Sequence, residues 1–185
     1  MTACAYLNRV ISELWPQSET TGAAVWALLD AASDERIVGA IENAKLDHCC
    51  LFSGRLDPAL KTAAPYLIKL RFGHPFTEYV VSEGWDRHWG VFLQADISME
   101  ELRLHLKQFL RVKDEDGQRL FLRFYDPRVL RVFLPTCTAH ELRVFCGPIV
   151  RFVMEDEEPG NLIEFALHDR ELRERKVALS PANNS

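Results

Sequence analysis

The 185-residue chain lacks clustered glycines, regularly spaced metal ligands and long apolar runs, and each absence excludes a class of protein. Its nine glycines stand apart, so neither the phosphate-binding loop nor the dinucleotide-binding pattern occurs. No stretch approaches the roughly 20 apolar residues that cross a bilayer. Arg9 and Glu13 interrupt the apolar segment near the N-terminus, so we expect no signal peptide there. We therefore expect a cytoplasmic protein with no stable membrane insertion and no nucleotide cofactor.

Basic residues are fewer than acidic ones, and the number of cysteines is odd. The 22 Lys and Arg residues face 27 Asp and Glu residues, and the net charge of −5 repels a phosphate backbone, so we expect no nucleic-acid partner. Five cysteines leave one unpaired, and the adjacent Cys49 and Cys50 would form a strained bridge, so reduced thiols are expected. His48 precedes this pair in a predicted strand, where alternate side chains face opposite sides. The triplet therefore predicts no metal site.

Catalytic chemistry has one weak candidate. Cys137 or Cys146 with His140 has the residue types of a nucleophile and its base, but no third residue is fixed to orient the imidazole. Cys146 closes an amphipathic helix, which favours a packed core thiol. No serine occurs in a Gly-x-Ser-x-Gly elbow. The sequence therefore predicts no catalytic residues, no metal and no cofactor.

What the sequence does contain is the composition of one globular domain over residues 1–185, with 48% hydrophobic and 26% charged residues. Apolar runs predict strands at 23–29, 48–52, 66–70, 89–94, 120–125, 149–154 and 162–167. Helical signals separate most of them, but the two closing strands have none between them, which argues against an entirely parallel sheet. We expect an α/β fold, a single layered domain with a mixed β-sheet flanked by helices. The charged tail, 168–185, is expected to fray.

Four helix starts carry specific signals. An aspartate cap followed by proline, or a Ser/Thr cap with glutamate three residues later, satisfies the free amides of the first turn and stabilises it by about 1 kcal/mol. These starts are Asp57-Pro58, Ser98 with Glu101, Asp126-Pro127, and Thr138 with Glu141.

The most distinctive stretch is Arg123-Phe-Tyr-Asp-Pro-Arg128, which follows a predicted central strand at 120–125. It places three polar side chains at the carboxyl end of that strand, where open α/β sheets bind ligands. A structural role stays open: Asp126 caps the next helix, Pro127 fixes φ, and an arginine pairs with a carboxylate to hold the corner.

These residues belong to a pattern that resembles the type VI secretion effector chaperones, also called adaptors, a bacterial family long filed as a domain of unknown function. The resemblance covers roughly residues 24–154. It is carried by Cys50-Leu-Phe-Ser-Gly-Arg-Leu-Asp-Pro-Ala-Leu60, Ala64-Pro-Tyr-Leu67, Trp89-Gly90, the helix at 102–110, Phe121-Leu-Arg-Phe-Tyr-Asp-Pro-Arg-Val-Leu130 and Phe145-Cys-Gly-Pro148.

The resemblance implies a cytosolic, non-enzymatic protein that binds the delivery or hydrophobic segment of one toxic effector. It also implies that the protein helps to load this effector onto the spike-tip protein of the secretion apparatus. Two other interpretations stay open. The acidic balance and small size suit an immunity-type inhibitor of a toxin, and Asp126, Arg128 and a histidine near the strand ends suit an unrecognised α/β enzyme.

Residue type and expected position, rather than the resemblance, suggest the contact surface. An apolar effector segment needs a reversible apolar cover, and an aromatic cleft with a polar rim supplies one. Trp85 and Trp89, with Arg87 and His88 between them, are either part of such a patch or the entry of a strand. The predicted protein-binding residues are Phe72, Phe76, Trp85, Trp89, Arg123, Tyr125 and Arg128.

Overall fold

The computed structural model describes residues 3–15, 22–55, 57–113 and 117–179. Its α-helices within these residues are α1 (Ala3–Leu14), α2 (Arg36–Ala44), α3 (Pro58–Lys61), α4 (Pro75–Gly84), α5 (Met99–Lys107), α6 (Pro127–Thr136) and α7 (Ala139–Cys146). Its strands are β1 (Ala24–Asp30), β2 (His48–Cys50), β3 (Pro65–Lys69), β4 (Gly90–Ala95), β5 (Arg111–Lys113), β6 (Arg119–Phe121), β7 (Ile149–Glu155), β8 (Asn161–His168) and β9 (Glu171–Ala178). A 3₁₀ turn, Gln108–Leu110, extends α5.

Seven strands form one sheet in the order β2-β3-β1-β4-β7-β8-β9, and β5 and β6 form a separate two-stranded sheet. The expected single layered α/β domain is confirmed. The expected mixed sheet is instead antiparallel at every described pairing. Alternation of strands with helices suggested parallel neighbours, but here each helical connection leads to a strand that lies antiparallel to its neighbours. The order of elements along a chain does not fix that choice.

Both faces of the sheet are covered, which explains why its central strands are apolar almost without interruption. In β1, Val25, Ala27 and Leu29 point to one core, and Trp26 and Leu28 point to the other. The first core also takes buried side chains from α1, α2 and α4, and the second takes them from α5, α6 and α7. The sheet is therefore the middle of three layers.

The four predicted helix starts are confirmed. The Asp57 carboxylate accepts the Leu60 amide at 2.9 Å, and the Asp126 carboxylate accepts the Arg128 amide at 3.0 Å. The boxes at Ser98 and Thr138 form reciprocally, with each helix-start glutamate accepting the backbone amide of its cap residue. These hydrogen bonds hold the pKa values of both glutamates below their ordinary value.

The predicted central strand at 120–125 is wrong. Only its beginning is extended, as β6, and β6 pairs with β5 in the small sheet outside the main one. Leu120 and Phe121 are exposed there, whereas Phe124 and Tyr125 enter the second core from the loop before α6. An alternating apolar pattern suits a small hairpin as well as a central strand, because the pattern does not specify the partner strand.

The expectation of a frayed tail from residue 168 is also wrong for most of that segment. Strand β9 pairs with β8 from Asn161↔Ala178 to His168↔Glu171. Asp169 and Arg170 join the two strands with positive φ values of 50° and 72°, the conformation that tight hairpin turns require. The charged side chains of β9 suit an edge strand, whose stability comes from the backbone ladder rather than from an apolar pattern. Residues 180–185 lie outside the described part.

Candidate functional site

The predicted aromatic cleft does not form as expected, because most of its residues are buried. Phe76, Trp85 and Trp89 are 6%, 7% and 2% exposed and belong to the first core, whereas Tyr125 is 2% exposed in the second core. The sheet separates the two groups. Phe72 alone among the five predicted aromatics is well exposed, at 70%. Large apolar side chains stabilise a fold most when they leave water, so residue type alone favoured burial.

The two tryptophans fix the corner between α4 and β4. Trp85 stacks on Phe92 with ring centroids 6.1 Å apart. A Cβ atom added to Gly84 would lie 2.9 Å from the Trp89 ring, so this ring lies directly on the helix backbone. The cavity beside the two tryptophans has a volume of only about 10 Å³, which is near the minimum for one water. Of the two roles considered for this pair, the strand entry matches the structure.

The polar side chains of the distinctive stretch at 123–128 are paired with carboxylates. Arg123 forms an ion pair with Asp30, whose side chain is 1% exposed at the end of β1. Arg128 binds the capping carboxylate of Asp126 at 2.7 Å. Burial favours the neutral acid, yet the hydrogen bonds from Arg128 hold the pKa of Asp126 below its ordinary value. The structural role considered for this stretch is therefore present. Both arginines stay about half exposed and accessible to a partner.

A histidine and a buried carboxylate meet at the end of β7, a cluster that sequence reasoning missed. Glu155 is 3% exposed and contacts His88 Nδ1, and it accepts the His88 backbone amide at 3.4 Å. Burial raises the pKa of Glu155, and the hydrogen bonds from His88 lower it by a smaller amount. Asp86 and His88 have positive φ values of 59° and 58°. Arg131 donates to the Glu155 carbonyl at 2.7 Å. His88 and Glu155 are 67 residues apart in the sequence, so no local sequence pattern could predict this contact.

The four cysteines whose side chains the structure describes are placed as structural thiols. Cys49, Cys50, Cys137 and Cys146 are free. Burial raises the pKa of Cys49 and of Cys146 to about 11, so both thiols are poor nucleophiles at neutral pH. Cys146 is 3% exposed in the second core, as expected.

No group of three or more His, Cys, Asp or Glu side chains in the described ranges is arranged to hold a metal ion. Among those same ranges, no helix is long and apolar enough to cross a bilayer.

A larger cavity lies along the sheet edge at β2. Its volume is about 930 Å³, and its lining includes Glu42, His48, Cys50, Phe52, Arg55, Asp57, Lys61 and Tyr66. Phe52 also meets Phe121 of β6 edge to face, with ring centroids 5.5 Å apart. Arg103 of α5 donates to the Cys50 carbonyl at 2.9 Å. Two of the stretches that carry the family resemblance, at 50–60 and 121–130, thus come together beside this cavity.

Comparison with known proteins assigns a family. A family model described as a domain of unknown function, DUF4123, matches residues 25–144, from β1 into α7. No curated protein and no solved structure matches the chain. Because the match spans well over half of the 185 residues, the chain belongs to the DUF4123 family.

Proposed function

We propose that this protein is a non-enzymatic chaperone or adaptor. It binds a toxic effector and assists its loading onto the spike of a type VI secretion system. Its partners are the delivery or hydrophobic segment of the effector and the spike-tip protein, and it acts in the cytoplasm. The observation that carries the proposal is the family match over 25–144, which falls inside the 24–154 region of resemblance to effector chaperones.

The surface offers an aromatic contact for such a partner. Phe72 is 70% exposed in the turn between β3 and α4, and its ring meets the Trp15 ring edge to face with centroids 5.8 Å apart. Exposed aromatic side chains are frequent centres of binding energy at protein interfaces. Phe72 is therefore the member of the predicted site that we propose contacts the apolar part of the effector. Phe72 follows Leu70, which bonds Val25 at one end of β1, whereas Arg123 pairs with Asp30 at the other end. We propose that Arg123 and Arg128 form a separate polar contact.

The experiment is co-expression of the full chain with truncations of the toxin encoded by a neighbouring gene. Capture on an affinity resin and the soluble fraction of the toxin are measured for each truncation. We expect capture and solubility only for truncations that keep the delivery segment. A second capture experiment with the spike-tip protein tests the loading step.

Matched variants connect the capture to a surface. Phe72→Ser is expected to weaken effector binding by about 2 kcal/mol, or roughly thirtyfold, the size of an interface hot spot. Val144→Ser is the control, because Val144 is also an exposed apolar side chain, at 49%, but lies on α7 rather than on the helix that carries Arg128. Capture and inhibition of the isolated catalytic domain would instead identify an immunity-type inhibitor. Turnover of a substrate by this chain would show that it is an enzyme.

A further inference from the structure

We infer that the β2 edge of the main sheet binds an extended segment of a partner protein, which adds to the sheet as a further strand. The inference rests on the backbone of β2, on the cavity beside it and on the charges around that cavity. It does not depend on the effector, so it stands or falls separately from the function proposed above.

The backbone groups of β2 alternate between paired and outward-facing. Leu51 donates to the Pro65 carbonyl at 2.9 Å, and Lys69 donates to the Asp47 carbonyl at 2.9 Å. In an antiparallel pair, hydrogen-bonded residues alternate with residues whose amide and carbonyl point away. Residues 47, 49 and 51 therefore face β3, whereas His48 and Cys50 direct their backbone groups outward. Within the described residues, β2 pairs only with β3.

Side chains of this protein already bond some carbonyls along this edge, and the remaining backbone groups are open to a partner strand. The Leu46 carbonyl contacts His48 Nδ1 at 2.9 Å, and the Cys50 carbonyl accepts from Arg103 Nε at 2.9 Å. Neither the amide and carbonyl of His48 nor the Cys50 amide is bonded to the main sheet. An antiparallel strand paired opposite His48 would use these three groups.

The opposite edge of the sheet is protected, and β2 is not protected in the same way. The outer strand β9 carries Arg173, Glu174, Arg175 and Lys176, all exposed. Charged side chains of this kind discourage strand addition. The residues of β2 are His48, Cys49 and Cys50, with no lysine, acidic residue or proline among them.

The cavity beside β2 indicates which strand fits. Its volume of about 930 Å³ accommodates side chains of an added strand, and Phe52 and Tyr66 give it apolar walls. Arg55 and Lys61 form no ion pair within the described residues, whereas the Asp57 carboxylate already caps α3. The two unpaired cations outnumber the remaining carboxylate, Glu42. The favoured partner is therefore an extended segment with apolar side chains and at least one acidic side chain.

The test uses the full chain and a displayed library of random peptides, each long enough to form one strand. Recovered peptides are synthesised and their affinities measured by fluorescence polarisation. Amide hydrogen exchange is then followed with the tightest peptide. We expect exchange at His48 and Cys50 to slow at least about tenfold on binding, because their amides gain strand partners. The Cys49 amide faces β3 and serves as the internal control.

Two sets of variants make the result specific. Cys50→Pro removes one outward amide and leaves the ladder to β3 intact, and proline is tolerated on edge strands. We expect it to lower peptide affinity at least about tenfold, the equivalent of about 1.4 kcal/mol. The double variant Arg55→Glu/Lys61→Glu should lower the affinity of acidic peptides, whereas Arg173→Glu on β9 should not.

Unchanged exchange at His48 and Cys50 with a bound peptide would overturn the inference, even if Cys50→Pro did not fold. A library that yields no peptide sensitive to the β2 variants would also overturn it. Failure of toxin capture would count only against the proposed function, because no toxin is used here.

Discussion

Arg151 of β7 joins α1 to the sheet, and its replacement has a predictable cost. Its side chain is 2% exposed, and Nη1 donates to Glu164 at 2.7 Å. Nη2 donates to the Glu13 carbonyl at 2.8 Å and to the Leu14 carbonyl at 3.3 Å, at the end of α1. A cation at this end of a helix also complements its dipole. Arg151→Met removes all of these bonds at nearly constant volume.

Removing one partner of a buried ion pair costs about 3–5 kcal/mol. Arg175 also binds the Glu164 carboxylate, at 2.7 Å, so this carboxylate keeps one partner in the variant. We therefore expect the lower end of that range, about 3 kcal/mol for Arg151→Met. For a chain of this size, this corresponds to a melting temperature about 6–12 °C lower.

Urea unfolding followed by circular dichroism measures this cost. Arg173→Met on β9 is the control, because Arg173 is exposed and forms no ion pair in the described part of the chain. This variant should change stability by less than about 0.5 kcal/mol. Amides of α1 should exchange faster in Arg151→Met than in the wild type. A cost below about 1 kcal/mol, or unaltered exchange in α1, would refute the reasoning that Arg151 holds this helix.

Three further predictions concern other sites. A Cβ atom on Gly90 would lie 2.1 Å from the Leu28 carbonyl oxygen, so calorimetry should show that Gly90→Ala lowers stability by at least about 3 kcal/mol. Gly39 on α2 has open space around it, so Gly39→Ala should raise stability by about 0.5–1 kcal/mol. Mass spectrometry after iodoacetamide treatment at neutral pH should find Cys146 essentially unlabelled in the folded chain, since burial raises its pKa to about 11. Burial raises the pKa of Glu155 above its ordinary value of 4.5, so the wild type loses stability when this carboxyl ionises as the pH rises above about 4.5. Glu155→Gln lacks this ionisation, so urea unfolding should show that the variant gains stability relative to the wild type over the same pH rise.

Local signals predicted the helix starts correctly. Asp57, Ser98, Asp126 and Thr138 bind amides within their own first turn, so the interaction partners are neighbours in sequence. The apolar runs of β1, β3, β4, β7 and β8 were equally informative, because the sheet is covered on both faces and its strands must be apolar throughout.

Pairings between distant residues could not be predicted in the same way. Strand β9 is stabilised by its ladder to β8, and its charged sequence carries no apolar period. The exposed cavity at β2 depends on residues from α2, β2, α3 and β3, which no spacing rule connects. All five aromatic residues of the predicted site were expected to bind a partner, and only the structure distinguished Phe72 on the surface from the four that are buried in the core.

The order of strands has a practical consequence for dissecting this protein. The family match ends at residue 144, but β4 pairs along one side with β7, which begins at Ile149. A fragment cut where the match ends would expose that side of β4, and five of its six residues are buried in the intact chain. Such a fragment would present an unpaired, apolar edge and should aggregate. The last three strands of the main sheet therefore belong in any fragment meant to fold.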